Sequence, residues 1–425
     1  MLLRFSVSNH LSLRNRQALS LVASALNDEQ FGLIECDEVP RGHVLPAVVI
    51  YGANASGKSN LVGALRSMLN AVQYSHSRGD PEGGLNRLFF ALDPDCTATP
   101  SIFDADFVVD GVRYHYGFEA SDSGYNAEWL YSFPSGRRQN LFERKNGSFT
   151  FGRGLKGRNK TISDLTRSNS LFLSAAAQNG HEQLSKIARF FRSISSDIEP
   201  AISSISALRR LSNYEMDERV IEFLRNIGTG VVGYQRRVSD IPDDIKVFQQ
   251  ELESIMKKFV GEERFEISRE KDKDVKIELA HRSRDGTKIY FDLDRESAGT
   301  RRLLVMLART FSALDEGTML VIDELDASLH TQACEALLAL FSSRHTNPKG
   351  AQLIATTHDT NLLRSRVLRR DQVWFTEKDK DGATNLYPLT DIRTRKGDNI
   401  ERGYLQGRFG AIPFAGSVDD LFGWA

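Results

Sequence analysis

Apolar and polar residues alternate over the first eight positions of the chain, where Leu3, Phe5 and Val7 are separated by polar side chains. A period of two is typical of a strand with one buried face. After a turn, a second strand is predicted near 18–23. Further on, the run 47–51 is apolar and largely β-branched, which favours a strand buried on both faces of a sheet.

A helix with one buried face is predicted after this strand and a short glycine-containing loop. From Asn60 onward, apolar residues recur at intervals of three and four, as in an amphipathic helix. They are Leu61, Ala64, Leu65, Met68 and Leu69. The chain is therefore expected to pass from a strand through a loop into a helix.

Antiparallel hairpins are predicted over 101–151. Alternating segments there are joined by Asp110-Gly111 and Asn146-Gly147, dipeptides that favour the positive φ angles of tight turns. The stretch 301–357 instead predicts helix, strand, helix and strand, which is the pattern of a parallel α/β core.

A helical insertion is predicted between these parts. Apolar residues repeat there at three- and four-residue spacing in two groups, one of which precedes a glycine of the type that ends helices. The groups are Val220, Phe223, Leu224 and Ile227 with Gly228, and Ile245, Phe248, Leu252, Ile255 and Phe259. The heptad-like pattern lasts only about two repeats, too short for a long coiled-coil arm. Three parts are expected: 1–180, the helical insertion 181–270, and 271–425.

The length and composition of the chain favour some classes of protein and exclude others. A chain of 425 residues with 40% hydrophobic residues can bury a sizeable core. Cys36, Cys96 and Cys334 form neither a disulfide framework nor a closely spaced thiol pair, which favours a reducing cytoplasm. No signal peptide and no run of about 18 apolar residues is present, so membrane insertion is not expected. The net charge of −1 gives no general attraction to nucleic acid.

The loop between the buried strand and the amphipathic helix, 52–59, reads Gly-Ala-Asn-Ala-Ser-Gly-Lys-Ser and is a P-loop. Glycines let the backbone wrap round phosphates, so that N–H groups and the helix N-terminus face the anion. Lys58 would reach the β- and γ-phosphates of ATP, and Ser59 would bind the Mg²⁺ that bridges them. The residues predicted to bind the nucleotide here are Gly52, Asn54, Ala55, Ser56, Gly57, Lys58, Ser59 and Asn60.

A second segment, 319–324, is an apolar strand that ends in two carboxylates, as a Walker B segment does. Asp323 would hold Mg²⁺, and Glu324 would polarise the water that attacks the γ-phosphate. A strand that merely ends in two solvated acids is the alternative. The P-loop upstream favours the catalytic interpretation, with Lys58 and Glu324 as catalytic residues.

Three further segments, in order along the chain, resemble those of ABC-type ATPases. Residues 297–301, Ser-Ala-Gly-Thr-Arg, resemble the signature sequence, 325–330 resemble the D-loop of SMC and RecF heads, and His358 resembles their switch histidine. The resemblance implies an α/β fold, a P-loop NTPase of ABC type, with an antiparallel β subdomain. It also implies that Ser297 and Gly299 bind the γ-phosphate of ATP held by a partner subunit.

The same resemblance implies that His358 is catalytic and contacts the phosphate of its own subunit. Ser297 as an ordinary helix cap and His358 as a strand-end residue are the alternatives. These heads also place a glutamine near Mg²⁺, and Gln178 is assigned to that role, with Gln183 or a solvated loop amide as alternatives. Arg301 stands where transporter signatures have glutamine, which favours the SMC, RecF and OLD-like heads.

Nearly the whole chain resembles the compact bacterial ATPases of phage defence, including RloA-like and abortive-infection proteins, and 374–379 and 403–413 resemble their ending. OLD nucleases carry a Toprim domain after the head. None is expected here, so nuclease or toxin activity is assigned to a separate effector protein. The leading hypothesis is an ATPase that forms a homodimer or higher homo-oligomer and gates this effector. A RecF-like DNA-repair ATPase and a nucleotide-gated scaffold without turnover are the alternatives.

Two basic segments are candidates for nucleic acid or partner contacts, with a solvated surface as the alternative. The segment 137–167 contains nine basic residues: Arg137, Arg138, Arg144, Lys145, Arg153, Lys156, Arg158, Lys160 and Arg167. The C-terminal group consists of Arg393, Arg395, Lys396, Arg402 and Arg408.

Overall fold

A computed structural model of the chain describes residues 1–26, 28, 32–197, 216–240, 251, 273–364, 367–395 and 397–411. The chain divides into two compact units. One is formed by Met1–Ile198 together with Ser312–Ala425, and the other by Glu199–Phe311. Among the described residues, no helix has the length and apolar character needed to cross a bilayer.

The first unit contains an antiparallel sheet that is built largely from neighbouring hairpins. Its strands are β1 Leu2–Ser8, β2 Gln17–Ser20, β6 Ser101–Val109, β7 Val112–Ser121, β8 Gly124–Ser132, β9 Gln139–Lys145 and β10 Ser148–Phe151, in the order β10-β9-β8-β7-β6-β1-β2. Asp110 and Asn146 adopt φ angles of 50° and 47° before their glycines, which confirms the two predicted turns. A short pair, β3 Ile34–Glu35 and β4 His43–Val44, stands apart from this sheet.

A second, six-stranded sheet is parallel except at one edge. It comprises β5 Ala47–Gly52, β11 Ser195–Asp197, β15 Met319–Ile322, β16 Gln352–Thr356, β17 Val373–Lys378 and the antiparallel β18 Thr384–Pro388, in the order β11-β15-β16-β5-β17-β18. All six residues of β5 are buried, as its β-branched run predicts. Because β5, β15 and β16 are parallel neighbours, the residues that follow them emerge at the same sheet edge.

The helices of this unit are α1 Lys58–Arg78, α2 Asp95–Ala98, α3 Asn159–Asp164, α4 Phe172–Gln178, α5 Glu182–Ser193, α8 Thr331–Phe341 and α9 Ile400–Leu405. The predicted apolar stripe of α1 is buried and includes Leu61, Leu65 and Met68. α1 and α5 contribute to one apolar core with the antiparallel sheet, where the rings of Phe107 and Phe190 stack. The strand–loop–helix order of the P-loop region is therefore confirmed.

The second unit contains α6 Glu218–Asn226, β12 Val231–Asp240, β13 Lys273–Arg282, β14 Lys288–Asp292 and the start of α7 Ala298–Glu316. The helix α6 is confirmed, and Gly228 follows it with a φ of 79°. The prediction that 181–270 is a helical insertion needs two corrections. α5 belongs to the first unit, and 231–240 is a strand because it pairs with β13 along its length. The predicted repeat from Ile245 to Phe259 lies outside the described residues.

Candidate functional site

The P-loop connects β5 to α1 at the edge where the parallel strands end. Its backbone is left-handed at Ala55, with a φ of 62°, and at Gly57, with a φ of 109°. Gly57 is also required sterically, because a Cβ there would overlap the side chain of Thr384. Asn54, Ala55 and Ser59 are exposed along the loop, and Asn60 is half-buried. The loop thus presents backbone and small polar groups to solvent from a rigid strand.

Lys58 is folded back over the loop. Its Nζ donates hydrogen bonds to the carbonyl oxygens of Gly52, at 2.9 Å, and Ala53, at 3.0 Å. Burial lowers the pKa of Lys58 to about 8, against the opposing effect of the carboxylates of Asp323 and Glu324. The ammonium is therefore held over the loop with both acids of the Walker B segment within electrostatic range.

Thr356, at the end of β16, connects the two acids of the Walker B segment. Its hydroxyl donates to Oδ1 of Asp323 at 2.5 Å and accepts the backbone N–H of Glu324 at 2.8 Å. Glu324 has a φ of 54°, so the chain turns sharply after β15. The result is a fixed Asp323 and an exposed Glu324 side chain at the mouth of the site.

Thr357, the next residue, holds the following loop. Its hydroxyl donates to Oδ1 of Asp326 at 2.7 Å, and the same oxygen accepts the N–H of His358 at 3.1 Å. Burial lowers the pKa of His358, and the positive charge of Lys58 lowers it further. Both effects favour the neutral form of the imidazole, which can exchange hydrogen bonds without adding a fixed charge.

The site thus combines a P-loop lysine after β5, a histidine after the neighbouring strand β16 and two adjacent acids after the next strand, β15. Residues 47–364, more than half of the chain, match the family model described as "AAA domain, putative AbiEii toxin, Type IV TA system". The chain belongs to this AAA-domain family. The family is one of P-loop ATPases, in agreement with the motifs and with the α/β fold around β5. No curated protein matches the chain.

In this member of the AAA-domain family, Ser297 and Gly299 lie in the second unit, whereas the P-loop and the Walker B acids lie in the first. Ser297 is exposed, and its Oγ accepts the N–H of Thr300 at 3.0 Å at the start of α7. Within one copy of the chain, Ser297 therefore acts as an ordinary helix cap, which was the alternative interpretation of this residue. Its predicted contact with a partner's nucleotide stays a prediction.

Gln178 is the last residue of α4 and is exposed, and its side chain makes no hydrogen bond to the described part of the chain. Gln183 instead accepts the N–H of Lys156 at 3.4 Å. The assignment of either glutamine to Mg²⁺ stays a prediction.

The basic segment 137–167 needs a correction. Arg144 is buried, and its guanidinium donates to the carbonyl oxygens of Arg167, Ser168 and Ser170. Arg144 therefore stabilises the chain before α4 and is unavailable to a nucleic acid. Seven other basic residues are exposed: Arg137, Arg138, Lys145, Arg153, Lys156, Arg158 and Lys160.

Asp104, Asp106 and His115 form a cluster that sequence spacing did not reveal. Arg4 pairs with both carboxylates, at 2.7 and 2.8 Å, and further arginines, Arg16 and Arg113, each pair with one of them. Because arginines already neutralise these acids, the cluster is an ion-pair network on the antiparallel sheet and does not resemble a metal site.

Sequence reasoning also missed the hydroxyl residues that hold the site together. Thr356 and Thr357 directly precede His358, so their position at a strand end was the one available signal. Ser12, Thr376 and Thr384 lie far from the P-loop in sequence, and no local pattern marks them. They are found only because the fold brings them to the loop.

Proposed function

We propose that this protein binds ATP with Mg²⁺ and hydrolyses the γ-phosphate bond. The observation that carries this proposal is that Lys58, the acid pair Asp323 and Glu324, and His358 follow three parallel strands, β5, β15 and β16, at one sheet edge. Family membership supports the same conclusion at the level of an ATPase domain.

The residues present fit a nucleotide triphosphate. The P-loop N–H groups and the N-terminus of α1 favour an anion, and Lys58 supplies a positive charge beside them. In the described structure the ammonium group of Lys58 donates hydrogen bonds to two backbone carbonyl oxygens, which a phosphate oxygen would replace. Lys58 would then bind the β- and γ-phosphates.

The donor set also fits Mg²⁺, because Ser59 offers a hydroxyl and Asp323 a carboxylate, both hard oxygen ligands. When bound, the ion would neutralise charge that develops on the phosphate oxygens. Thr356 holds one carboxylate oxygen of Asp323, so the orientation of that side chain is set in advance.

Glu324 is the proposed general base. Its backbone is held by Thr356 and its side chain is exposed at the site, where it can accept a proton from the attacking water. His358 would donate or accept a hydrogen bond at the γ-phosphate.

We further propose that the site is completed by a second copy of the chain, as the resemblance to ABC-type heads implies. Ser297 and Gly299 stand at the N-terminus of α7, where Ser297 is exposed and Gly299 is half-buried, and a helix N-terminus favours an anion such as the phosphate of a partner's nucleotide. ATP would then hold two subunits together as a homodimer or higher homo-oligomer.

The biological role that we propose is nucleotide-dependent control of a separate effector, a nuclease or toxin, in antiphage defence. The description of the family, which refers to a toxin and to a type IV TA system, supports this context. A RecF-like role in DNA repair is the second candidate, favoured by the seven exposed basic residues of 137–160. Stimulation of turnover by gapped or double-stranded DNA would distinguish it.

The test of ATP hydrolysis is phosphate release by the full chain with ATP and Mg²⁺. Glu324→Gln should retain ATP binding and lose most turnover, whereas Lys58→Ala should lose binding. The matched controls are Glu82→Gln and Lys156→Ala, which change exposed residues outside the site. If Glu324→Gln hydrolyses ATP at the parent's rate, the assignment of Glu324 as the general base is wrong. If the parent binds ATP without hydrolysing it, the nucleotide-gated scaffold is favoured.

A further inference from the structure

Ser56, in the middle of the P-loop, is held from two sides by threonines. It is only 4% exposed. Its Oγ lies 2.6 Å from Oγ1 of Thr376, and its carbonyl oxygen accepts a hydrogen bond from Oγ1 of Thr384 at 2.8 Å. Thr376 and Thr384, on β17 and β18, are themselves almost completely buried.

The direction of these hydrogen bonds follows from the number of hydrogens. Each hydroxyl carries one, and a carbonyl can only accept. Thr384 gives its hydrogen to the carbonyl of Ser56, so Ser12, 2.8 Å away, must be the donor to Thr384. Ser12 in turn accepts from Nδ2 of Asn60 at 2.7 Å. A directed chain therefore runs from Asn60 through Ser12 and Thr384 to Ser56.

Two glycines of the P-loop leave room for the threonine hydroxyls. A Cβ on Gly57 would overlap Oγ1 of Thr384, and a Cβ on Gly52 would overlap Oγ1 of Thr376. Thr376 and Gly52 are also direct partners in the parallel pairing of β17 with β5. The hydroxyls of the two threonines can approach the P-loop only because Gly52 and Gly57 lack side chains.

Thr384 also determines the orientation of a peptide group. In a trans peptide the C=O and the following N–H point in opposite directions, and the described chain contains no cis peptide. The carbonyl of Ser56 points toward Thr384, so the N–H of Gly57 points away from it. In a P-loop, that N–H belongs to the set that binds phosphate.

We propose that Thr384 and Ser12 are positioning residues of the nucleotide site, which fix the Ser56–Gly57 peptide so that the Gly57 N–H is available to a phosphate oxygen. This role rests on the proposed binding of ATP. Both residues lie outside the matched range 47–364, so the nucleotide site depends on parts of the chain beyond the family domain.

The test measures the Kd of a fluorescent ATP analogue, mant-ATP, for the full chain with Mg²⁺. Thr384→Val keeps the shape of the side chain and removes the hydrogen bond, and it should raise the Kd about tenfold or more, the effect of losing one hydrogen bond to a charged group. Thr384→Ser should bind nearly as the parent does. In turnover, KM should rise while kcat changes little, because the loop binds phosphate in the ground and transition states alike.

The control for removing a buried threonine hydroxyl is Thr310→Val. Thr310 is fully buried, and its hydroxyl has no hydrogen-bond partner in the described part of the chain, so mant-ATP binding should not change. Equal Kd values for Thr384→Val and the parent would overturn the positioning role. If Thr384→Val does not fold, the Kd of Ser12→Ala for mant-ATP is compared with the parent's instead, and equal values would overturn the positioning role. Failure of the parent itself to bind mant-ATP would instead refute the proposed function, and the positioning role with it.

Discussion

The hydroxyl of Thr356 lies 2.5 Å from Oδ1 of Asp323 and, at the same time, accepts the N–H of Glu324 at 2.8 Å. One buried side chain thus sets the orientation of the proposed metal ligand and of the backbone of the proposed general base. Neighbouring parallel strands make this contact possible, because Ile322 pairs with Ala355 immediately before both residues.

Replacing Thr356 with valine should therefore impair catalysis more than ATP binding. Valine keeps the volume and loses both hydrogen bonds, so kcat should fall about tenfold while the Kd for mant-ATP changes little. Thr356→Ser should restore most of the rate. Steady-state phosphate release measures the effect, and a kcat for Thr356→Val equal to the parent's would contradict it.

ATP binding should weaken as the pH rises above about 8. Burial lowers the pKa of Lys58 to about 8, so the free site loses its ammonium charge above that value. Bound phosphate favours the charged form, so binding takes up a proton there and the affinity falls with increasing pH. Titration of mant-ATP between pH 7.5 and 9.5 measures this. Lys58→Arg, whose guanidinium stays protonated, is the control and should give a flat profile.

Two inactive variants should restore activity to each other if the site is shared between subunits. Lys58→Ala destroys one P-loop and Ser297→Arg one signature, but a mixed dimer keeps one site with both intact. A statistical mixture should recover up to about one quarter of the parent's turnover. No recovery in a mixture shown by mass measurement to contain mixed dimers would argue against a shared site.

Capture of an effector should depend on the nucleotide state. With the product of the neighbouring gene tested as the candidate effector, Glu324→Gln with ATP should capture more of it than Lys58→Ala does. A partner with equal affinity for both states could not be gated. A quantitative pull-down from purified components measures the difference, and equal capture by the two variants would exclude nucleotide gating of that protein.

Glu128 should be important for stability and not for catalysis. It is fully buried, and it accepts hydrogen bonds from the N–H groups of Phe172 and Leu173 and from the hydroxyl of Tyr116. Glu128→Ala leaves these donors unpaired and should lower the free energy of unfolding by about 3 kcal/mol in urea titrations. Glu119→Ala, at a half-buried position of β7, is the control and should cost much less.

The sequence by itself determined the parts of this protein that depend on local chemistry. Gly57, Lys58 and Ser59 identify a P-loop because phosphate binding requires those residue types at that spacing. The apolar stripe of α1 and the turns at Asp110 and Asn146 were predicted correctly, since periodicity and turn preference act over a few residues.

Only the tertiary structure decided which distant residues support the loop and which insertion segments are strands. Thr384 lies 328 residues from Ser56, and its hydrogen bond exists because β18 joins the edge of the parallel sheet. The stretch 231–240 is extended because its backbone groups are satisfied by β13 rather than within a helix. Contacts of this kind depend on long-range pairing, which overrides local propensity and leaves no period in the sequence.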